Sequence, residues 1–275
     1  MPELPELEVI KQRLKPMITG KKVREFRILK PYLLKNYFSG DLRGEYVEDI
    51  VRRGKYLVFK LGCHNIYVHL MLHGSIDHLL PSAKVRKSAT ALLILDDGAK
   101  LEFSERTAKK RMSIYIRSKD EAMERIEELG VEPLSEGFTV DCLARILKSE
   151  RKQLKRLLCW QSKIAGIGNA YADEILWRAG LSPFLISTNL TTHEVERLHQ
   201  AVVEVLNWAI EKVGRERLME KRDFLQIHGK KGCLCPKCGD IIRTVSFAQS
   251  DTFYCPTCQT HGHELKDRRM SKFYR

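Results

Sequence analysis

The chain opens Met1-Pro2-Glu3-Leu4-Pro5-Glu6, and these residue types in this order can do carbonyl chemistry. An initiator methionine is normally removed before a small residue, so the mature chain is expected to begin with the secondary amine of Pro2. An α-amine titrates near ~8, well below a lysine, so a useful fraction is neutral and nucleophilic at physiological pH. Condensed with an aldehyde carbon, the proline nitrogen gives a cationic iminium, which is an electron sink. If that carbon is the anomeric carbon of a deoxyribose, attack displaces the base. The iminium then acidifies the neighbouring proton, and the 3′ phosphate leaves by β-elimination. Glu3, beside the amine, is placed to protonate the opening sugar ring, and Glu6 to orient the site. The competing reading is structural, because Pro and Glu are both favoured in the first turn of a helix. On these residues alone the structural reading is the stronger.

A second constellation lies near the other end. Cys235-Pro-Lys-Cys238 and Cys255-Pro-Thr-Cys258 are separated by a turn-rich apolar stretch able to fold as a hairpin. Each Cys-Pro-x-Cys loop aims two thiolates the same way, and two loops close a tetrahedral structural Zn2+ site with no open position. A redox pair or free thiols fit this spacing less well. Cys233, His261 and His263 lack the paired spacing and are left as spare donors. A module of this size cannot hold itself together by core burial, so one zinc ion is expected to be its main support and its task to be presentation rather than chemistry. Lys230, Lys231, Lys237 and Arg243 make the presented surface basic.

A third constellation is Lys163-Ile-Ala-Gly166-Ile-Gly168-Asn169, a glycine-rich turn opening a helix at Asn169. Asn suits an N-cap, and the free N–H groups of a helix start favour an anion such as a DNA phosphate. Most such turns only serve packing. Here Lys163 and a second helix expected over Thr191 to Val213 resemble a helix-turn-helix set against a DNA backbone.

These sites need elements to hold them. Leu4, Leu7, Ile10 and Leu14 recur at helical spacing, and Pro16 and Gly20 are expected to stop that helix. The period then changes to two. Val23 to Leu29, Tyr46 to Val51, Tyr56 to Leu61, Asn65 to Met71, Ala91 to Leu95 and Met112 to Ile116 read as short strands between turns, which suggests an antiparallel sandwich or barrel. Lys119 to Glu136 reads as charged and helical. Residues 138–226 read as helical throughout, with Leu157, Ile164, Ile175, Leu176, Val195, Leu198, Val202 and Val205 in the core. The fold class is α+β, with a sandwich domain over 1–118, a linker over 119–137, a helical domain over 138–226 and a zinc module over 227–275.

Composition limits the partners. With 275 residues and 48 Lys or Arg against 35 Asp or Glu, the formal charge is +13, which calls for nucleic acid, an anionic membrane surface or a ribosome. No uncharged apolar run approaches the ~20 residues that span a bilayer, and the first residues lack the apolar centre of a signal peptide. A cytoplasmic protein is expected, and there cysteines serve as thiolates or metal ligands rather than disulfides.

Together, Pro2-Glu3-Leu4-Pro5-Glu6, Arg53-Gly-Lys55-Tyr-Leu in a strand, Gly166-Ile-Gly-Asn169 with Lys163, and the four-cysteine ribbon resemble the formamidopyrimidine-DNA glycosylase and endonuclease VIII family over the whole chain and in the right order. The resemblance implies a bifunctional base-excision repair enzyme of bacterial, nucleoid-associated type. Its fold would be a two-layered β-sandwich, a helix-two-turn-helix domain and a zinc finger. It would act as a monomer on double-stranded DNA carrying a damaged base or abasic site. By the resemblance, Pro2 forms the Schiff base and Glu3 is the general acid. Lys55 contacts the phosphate beside the lesion, Asn169 binds phosphate, and Cys235, Cys238, Cys255 and Cys258 hold the zinc. The intercalating loop falls at His69-Leu-Met-Leu72-His-Gly74, with Leu72 where methionine is usual, and apolar wedges of this kind are interchangeable. Such enzymes flip the damaged nucleotide out of the duplex.

Three departures bear on the substrate. The family's zinc-hairpin arginine falls on Ser250, and a serine cannot replace a guanidinium. Ser104-Glu-Arg106-Thr-Ala-Lys109-Lys110-Arg111 lacks the Asp-Pro-Arg-Arg-Phe-Gly run that fills the void opposite the lesion, leaving Arg106 or Arg111 as substitutes. Asp223-Phe-Leu-Gln226 leads directly into Ile227-His-Gly229, so the loop that caps an oxidised purine is absent. The expectation is a DNA glycosylase with AP lyase activity in which β-elimination outruns δ-elimination and 8-oxoguanine is a poor substrate. The rivals are a non-catalytic paralogue that binds damaged DNA and a zinc-ribbon RNA or ribosome-associated factor.

Overall fold

A computed structural model of the chain describes residues 1–105, 111–215, 222–247 and 250–265. Helix α1 (Leu4–Ile18) forms because Leu4, Leu7, Ile10, Leu14 and Ile18 fall on one face, and all five are buried. Its start is a reciprocal cap: the Glu3 N–H donates to Glu6 Oε2 at 2.8 Å, and the Glu3 carboxylate accepts the backbone N–H of Glu6. This satisfies donors that a helix start otherwise leaves unpaired. Pro16 does not stop the helix as expected. It sits inside the last turn, and the chain leaves the helix only where Thr19 turns extended, its N–H returning to Lys15 O at 3.1 Å.

Eight strands follow: β1 (Val23–Ile28), β2 (Val47–Arg53), β3 (Tyr56–Leu61), β4 (His64–His69), β5 (Gly74–Leu79), β6 (Ala89–Leu95), β7 (Lys100–Glu105) and β8 (Ser113–Ser118). They pair antiparallel in two four-stranded sheets, ordered β2-β3-β4-β8 and β1-β6-β7-β5. The expected sandwich is present, and its core joins the sheets where the Phe103 ring of β7, beside Phe26 of β1 at 6.2 Å in the same sheet, meets Phe59 of β3 at 6.1 Å. The sequence reading missed β5 and β7. Their alternation is masked by Asp77, His78, Glu102 and Ser104; Glu102 is fully buried, with its carboxylate held by the Arg86 side chain and N–H.

The helix expected over Lys119 to Glu136 shrinks to one turn, α2 (Glu124–Glu127). Met123 and Ile126 are the apolar residues with which that segment joins the cluster on the outer face of β2-β3-β4-β8, against Val58 and Tyr67, a short anchor that does not carry a longer helix.

The chain divides into two units, residues 1–128 and 129–275. The second contains α3 (Val140–Ser149), α4 (Leu154–Leu158), α5 (Asn169–Ala179) and α6 (Thr192–Arg215). These are followed by the hairpin β9 (Arg243–Phe247) and β10 (Ser250–Tyr254), and by the short α7 (Pro256–Thr260). All eight core positions expected here are buried. Gly130 is required where it stands, because a Cβ there would lie 2.2 Å from the Lys163 backbone. That close approach lets Val131 bridge to Ile164 and fastens the loop that leads into α5. Among the described residues no helix is long and apolar enough to cross a membrane.

Candidate functional site

In the first unit, Pro2 precedes the capped start of α1, where Glu3 and Glu6 are 3% and 2% exposed. The helix-start role of these residues is real, and it brings both carboxylates to the position next to Pro2. Glu8, one turn on, pairs with Arg52 Nε at 3.1 Å, and Arg52 Nη1 donates to Gly54 O at 3.1 Å. Burial works to raise the Glu8 carboxyl, but Lys11 and Arg52 outweigh it and hold it below the usual carboxylate range. This relay ties α1 to the tight β2–β3 turn, in which Gly54 takes φ +55° and Lys55 follows. Lys55 is only 9% exposed, and among the described residues no carboxylate pairs with it. A buried ammonium without a counterion is costly unless a ligand supplies the charge.

His69 ends β4 directly opposite Tyr56 in register, with the two rings edge to face at 4.8 Å. Its Nδ1 accepts the Met71 N–H at 3.0 Å. Burial, then the charges of Lys55 and Arg125, push the imidazole down to about 4, so it is neutral and carries its proton on Nε2. The Met71 bond shapes the turn after β4: Met71 sits at φ +52°, and Leu72 is left 42% exposed at the tip. A Cβ on Gly74 would lie 2.5 Å from Leu70 O and 3.0 Å from Met112 Sδ, so this turn packs against the chain entering β8.

Glu105, which the sequence reading passed over, closes that neighbourhood. It is 1% exposed; Oε1 accepts the N–H groups of Arg111 and Met112 at 2.7 and 2.8 Å, and Oε2 accepts the Tyr32 hydroxyl at 3.2 Å. Arg106, Lys109 and Lys110 lie outside the described residues, whereas the backbone of Arg111 is pinned by this carboxylate.

In the second unit the N-cap of α5 is Gly168, not Asn169 as expected. Asn169 is the first helical residue, and its Nδ2 donates to Asp251 O at 3.0 Å, on the strand that begins at Ser250. Lys155 Nζ reaches the same carbonyl at 2.9 Å, the Thr252 hydroxyl at 3.0 Å and Asp173 Oδ1 at 2.7 Å. Its two hydrogen bonds therefore fix β10, while the ion pair with Asp173 ties the ammonium to α5. Asp173 Oδ2 also takes His228 Nδ1 at 2.7 Å. Glu174 accepts the N–H groups of Gln226, Ile227 and His228 at 2.9–3.1 Å. Burial raises its carboxyl even though these three donors pull the other way. Lys163 and Lys230 lie apart from this cluster: Lys163 Nζ pairs with Glu150 at 3.1 Å, and Lys230 Nζ donates to Asp223 O at 3.1 Å.

The four cysteines of the ribbon converge. The Sγ atoms of Cys235, Cys238, Cys255 and Cys258 all lie within 4.8 Å of one another, with Cys235–Cys258 at 3.8 Å and Cys238–Cys255 at 3.4 Å. Tetrahedral zinc at ~2.3 Å from each thiolate requires sulfurs ~3.8 Å apart, so the donor set fits one structural zinc ion. Burial acts to raise the Cys235 thiol, but the amides of Lys237 and Cys238 and the Trp177 indole N–H, 3.3 Å from Sγ, bring it down to about 7. Cys233, His261 and His263 are not part of the cluster.

Comparison with known proteins agrees with this arrangement. Three family models match in succession: the formamidopyrimidine-DNA glycosylase N-terminal domain over residues 1–112, the formamidopyrimidine-DNA glycosylase H2TH domain over 129–219, and the zinc finger found in FPG and IleRS over 234–260. The chain is 35% identical to the formamidopyrimidine-DNA glycosylase of Symbiobacterium thermophilum, over 98% of this chain and 93% of that one. It is 36% identical to that of Carboxydothermus hydrogenoformans, over 94% and 100%. Among solved structures it is similar to the Lactococcus lactis enzyme in complex with abasic-site DNA, with a TM-score of 0.85 and 28% identity over 94% of this chain and 99% of that one. MutM in complex with DNA containing carbocyclic 8-oxo-G matches with a TM-score of 0.85 and 29% identity, over 94% and 100%.

Proposed function

The chain belongs to the formamidopyrimidine-DNA glycosylase family, and from that membership we propose that it acts through Pro2 on damaged or abasic double-stranded DNA. It is a base-excision repair DNA glycosylase with AP lyase activity. With Met1 removed, the Pro2 amine attacks the anomeric carbon of the lesion nucleotide, the damaged base leaves, and the iminium drives β-elimination of the 3′ phosphate. Glu3 protonates the opening ring, and Glu6 holds Glu3 at the helix cap. Lys55 and His69 grip phosphate in the first unit and Asn169 does so in the second, with Lys163 and Lys230 adding charge. Leu72 is the wedge that enters the stack when the nucleotide is flipped. One zinc ion on Cys235, Cys238, Cys255 and Cys258 holds the hairpin that presents β10. The domains are taken as 1–118, 138–226 and 227–275 with a linker over 119–137, in a cytoplasmic, monomeric protein.

The observation that carries this reading is the conjunction of Pro2 at the head of α1 with two buried carboxylates, each accepting the other residue's backbone N–H. Borohydride reduction on an abasic duplex tests it. A covalent protein–DNA complex is expected with the wild type and none with Pro2→Gly or with Met1 retained. No complex with the wild type would leave only a damaged-DNA binder.

A further inference from the structure

The outer face of the β2-β3-β4-β8 sheet carries a row fixed by strand register: Arg53 opposite Tyr56, Tyr56 opposite His69, and His69 opposite Ser113. The next row along that face is Val51, Val58, Tyr67 and Tyr115, and Met123 and Ile126 pack on it. Arg125 lies between those two anchors, so its backbone is held against the sheet while its side chain stays exposed. The guanidinium carbon stands 5.6 Å from the centre of the Tyr115 ring, and the guanidinium also interacts with the Tyr56 hydroxyl. Among the described residues no carboxylate lies within ion-pair distance of it; Glu124 acts on it only from farther off. The Tyr56 side chain that Arg125 meets is the one whose ring packs on His69.

Lys55, His69 and Arg125 thus occupy one neighbourhood with donors and, among the described residues, no carboxylate ion-paired to Lys55 or Arg125. His69 has spent Nδ1 on Met71 and offers only Nε2–H. We propose that Arg125, shelved on Tyr56 and Tyr115, is a DNA-binding residue that takes a backbone phosphate adjacent to the one held by Lys55 and His69. The ligand is a phosphodiester because the site offers a planar fork, a point charge and a neutral N–H donor, which together match an oxyanion with several acceptor oxygens. An arginine stacked on tyrosine loses little freedom when it binds, which a mobile surface lysine cannot match. The inference rests on the reading of this chain as an enzyme of damaged DNA.

The test is equilibrium binding of the zinc-loaded full chain to a duplex carrying a tetrahydrofuran abasic analogue, followed by fluorescence anisotropy from about 50 to about 200 mM salt. Each neutralised phosphate contributes roughly 0.9 to the slope of log K against log salt. Arg125→Gln is expected to lower that slope by about one and to weaken binding about tenfold at the low-salt end. Arg125→Lys is expected to keep the slope while losing part of the affinity. Tyr115→Leu keeps the charge but removes the shelf, and is expected to do the same. Lys55→Gln, run in parallel, separates the two levels. If Lys55→Gln lowers the slope and Arg125→Gln matches the wild type in slope and affinity, the inference alone is overturned. If Lys55→Gln also changes nothing, the reading of the site falls and takes the inference with it.

Discussion

At the scale of single residues, Ser250 and His69 make the sharpest claims. Ser250 opens β10, where the family resemblance calls for an arginine, and Lys155 cannot stand in because its ammonium is held by hydrogen bonds to Asp251 O and the Thr252 hydroxyl and by the ion pair with Asp173. The 3′ ends produced on an abasic duplex should therefore be mainly β-elimination product, and Ser250→Arg should raise the δ fraction several-fold; a dominant δ product from the wild type would contradict this. His69 bears on pH. Its folded-state value near 4 lies below the ordinary 6.5, so as pH falls the unfolded chain takes up the proton first. Stability is therefore highest above about 6.5, declines as pH drops from there toward 4, and levels off below, for a loss on the order of 3 kcal/mol. Urea unfolding at pH 7 and pH 4.5 should show a smaller decrease for His69→Gln than for the wild type. The residues legible from sequence were those whose order is itself the signal, Pro2 with Glu3 and the paired cysteines. Lys155, Asp173, Glu174 and Glu105 were not, because a lone charge in a sequence looks like solvated surface until the fold buries it.

At the scale of elements, the same distinction separates the strands that could be read from those that could not. β6, with Ala91, Leu93 and Leu95 fully buried, announces itself by apolar content. β5 and β7 hide, because Asp77 and Glu102, opposite each other in register, are polar residues held in place by pairing with Arg86. The segment after β8 misled in the other direction: its charges suit a helix, but Met123 and Ile126 are a small apolar contribution to the cluster on the sheet. Glu105 shows what an element end can do. One carboxylate at the last residue of β7 fastens Arg111 and Met112, and Met112 packs beside Gly74, next to the turn that presents Leu72. Glu105→Ala would leave two amides without their charged acceptor, at a cost of about 2–4 kcal/mol. Hydrogen exchange at Arg111 and Met112 should accelerate by about tenfold or more, while amides in β2 and β3 keep their protection; unchanged rates at 111 and 112 would show that the clamp is not needed.

At the scale of the whole molecule, the net charge of +13 permitted several polyanions and said nothing of chemistry, whereas the order of modules did. Zinc makes this testable, because its ligands and the described residues clustered with them belong to the second unit. Cys235 and Cys255 share a buried cluster with Trp177, Ile227 and Ile242, and Phe253 and Cys258 pack against it. Trp177, near the end of α5, donates its indole N–H to Cys235. The same helix begins at Asn169, whose amide holds the Asp251 carbonyl of β10, so both ends of α5 touch the ribbon. For a module this small the metal's binding free energy is the folding free energy. Chelation should therefore remove exchange protection from β9, β10 and the Cys235–Cys258 loops and loosen the last turn of α5. The two four-stranded sheets of the first unit should stay protected. Binding to an abasic duplex should fall with the ribbon, even though Pro2, Glu3 and Lys55 are untouched. The readings are hydrogen exchange by mass spectrometry and anisotropy on matched metal-free and zinc-loaded samples. Protection of β9 and β10 that survived verified metal removal would mean that the Lys155–Asp173 and Glu174 contacts, rather than zinc, hold the hairpin to α5.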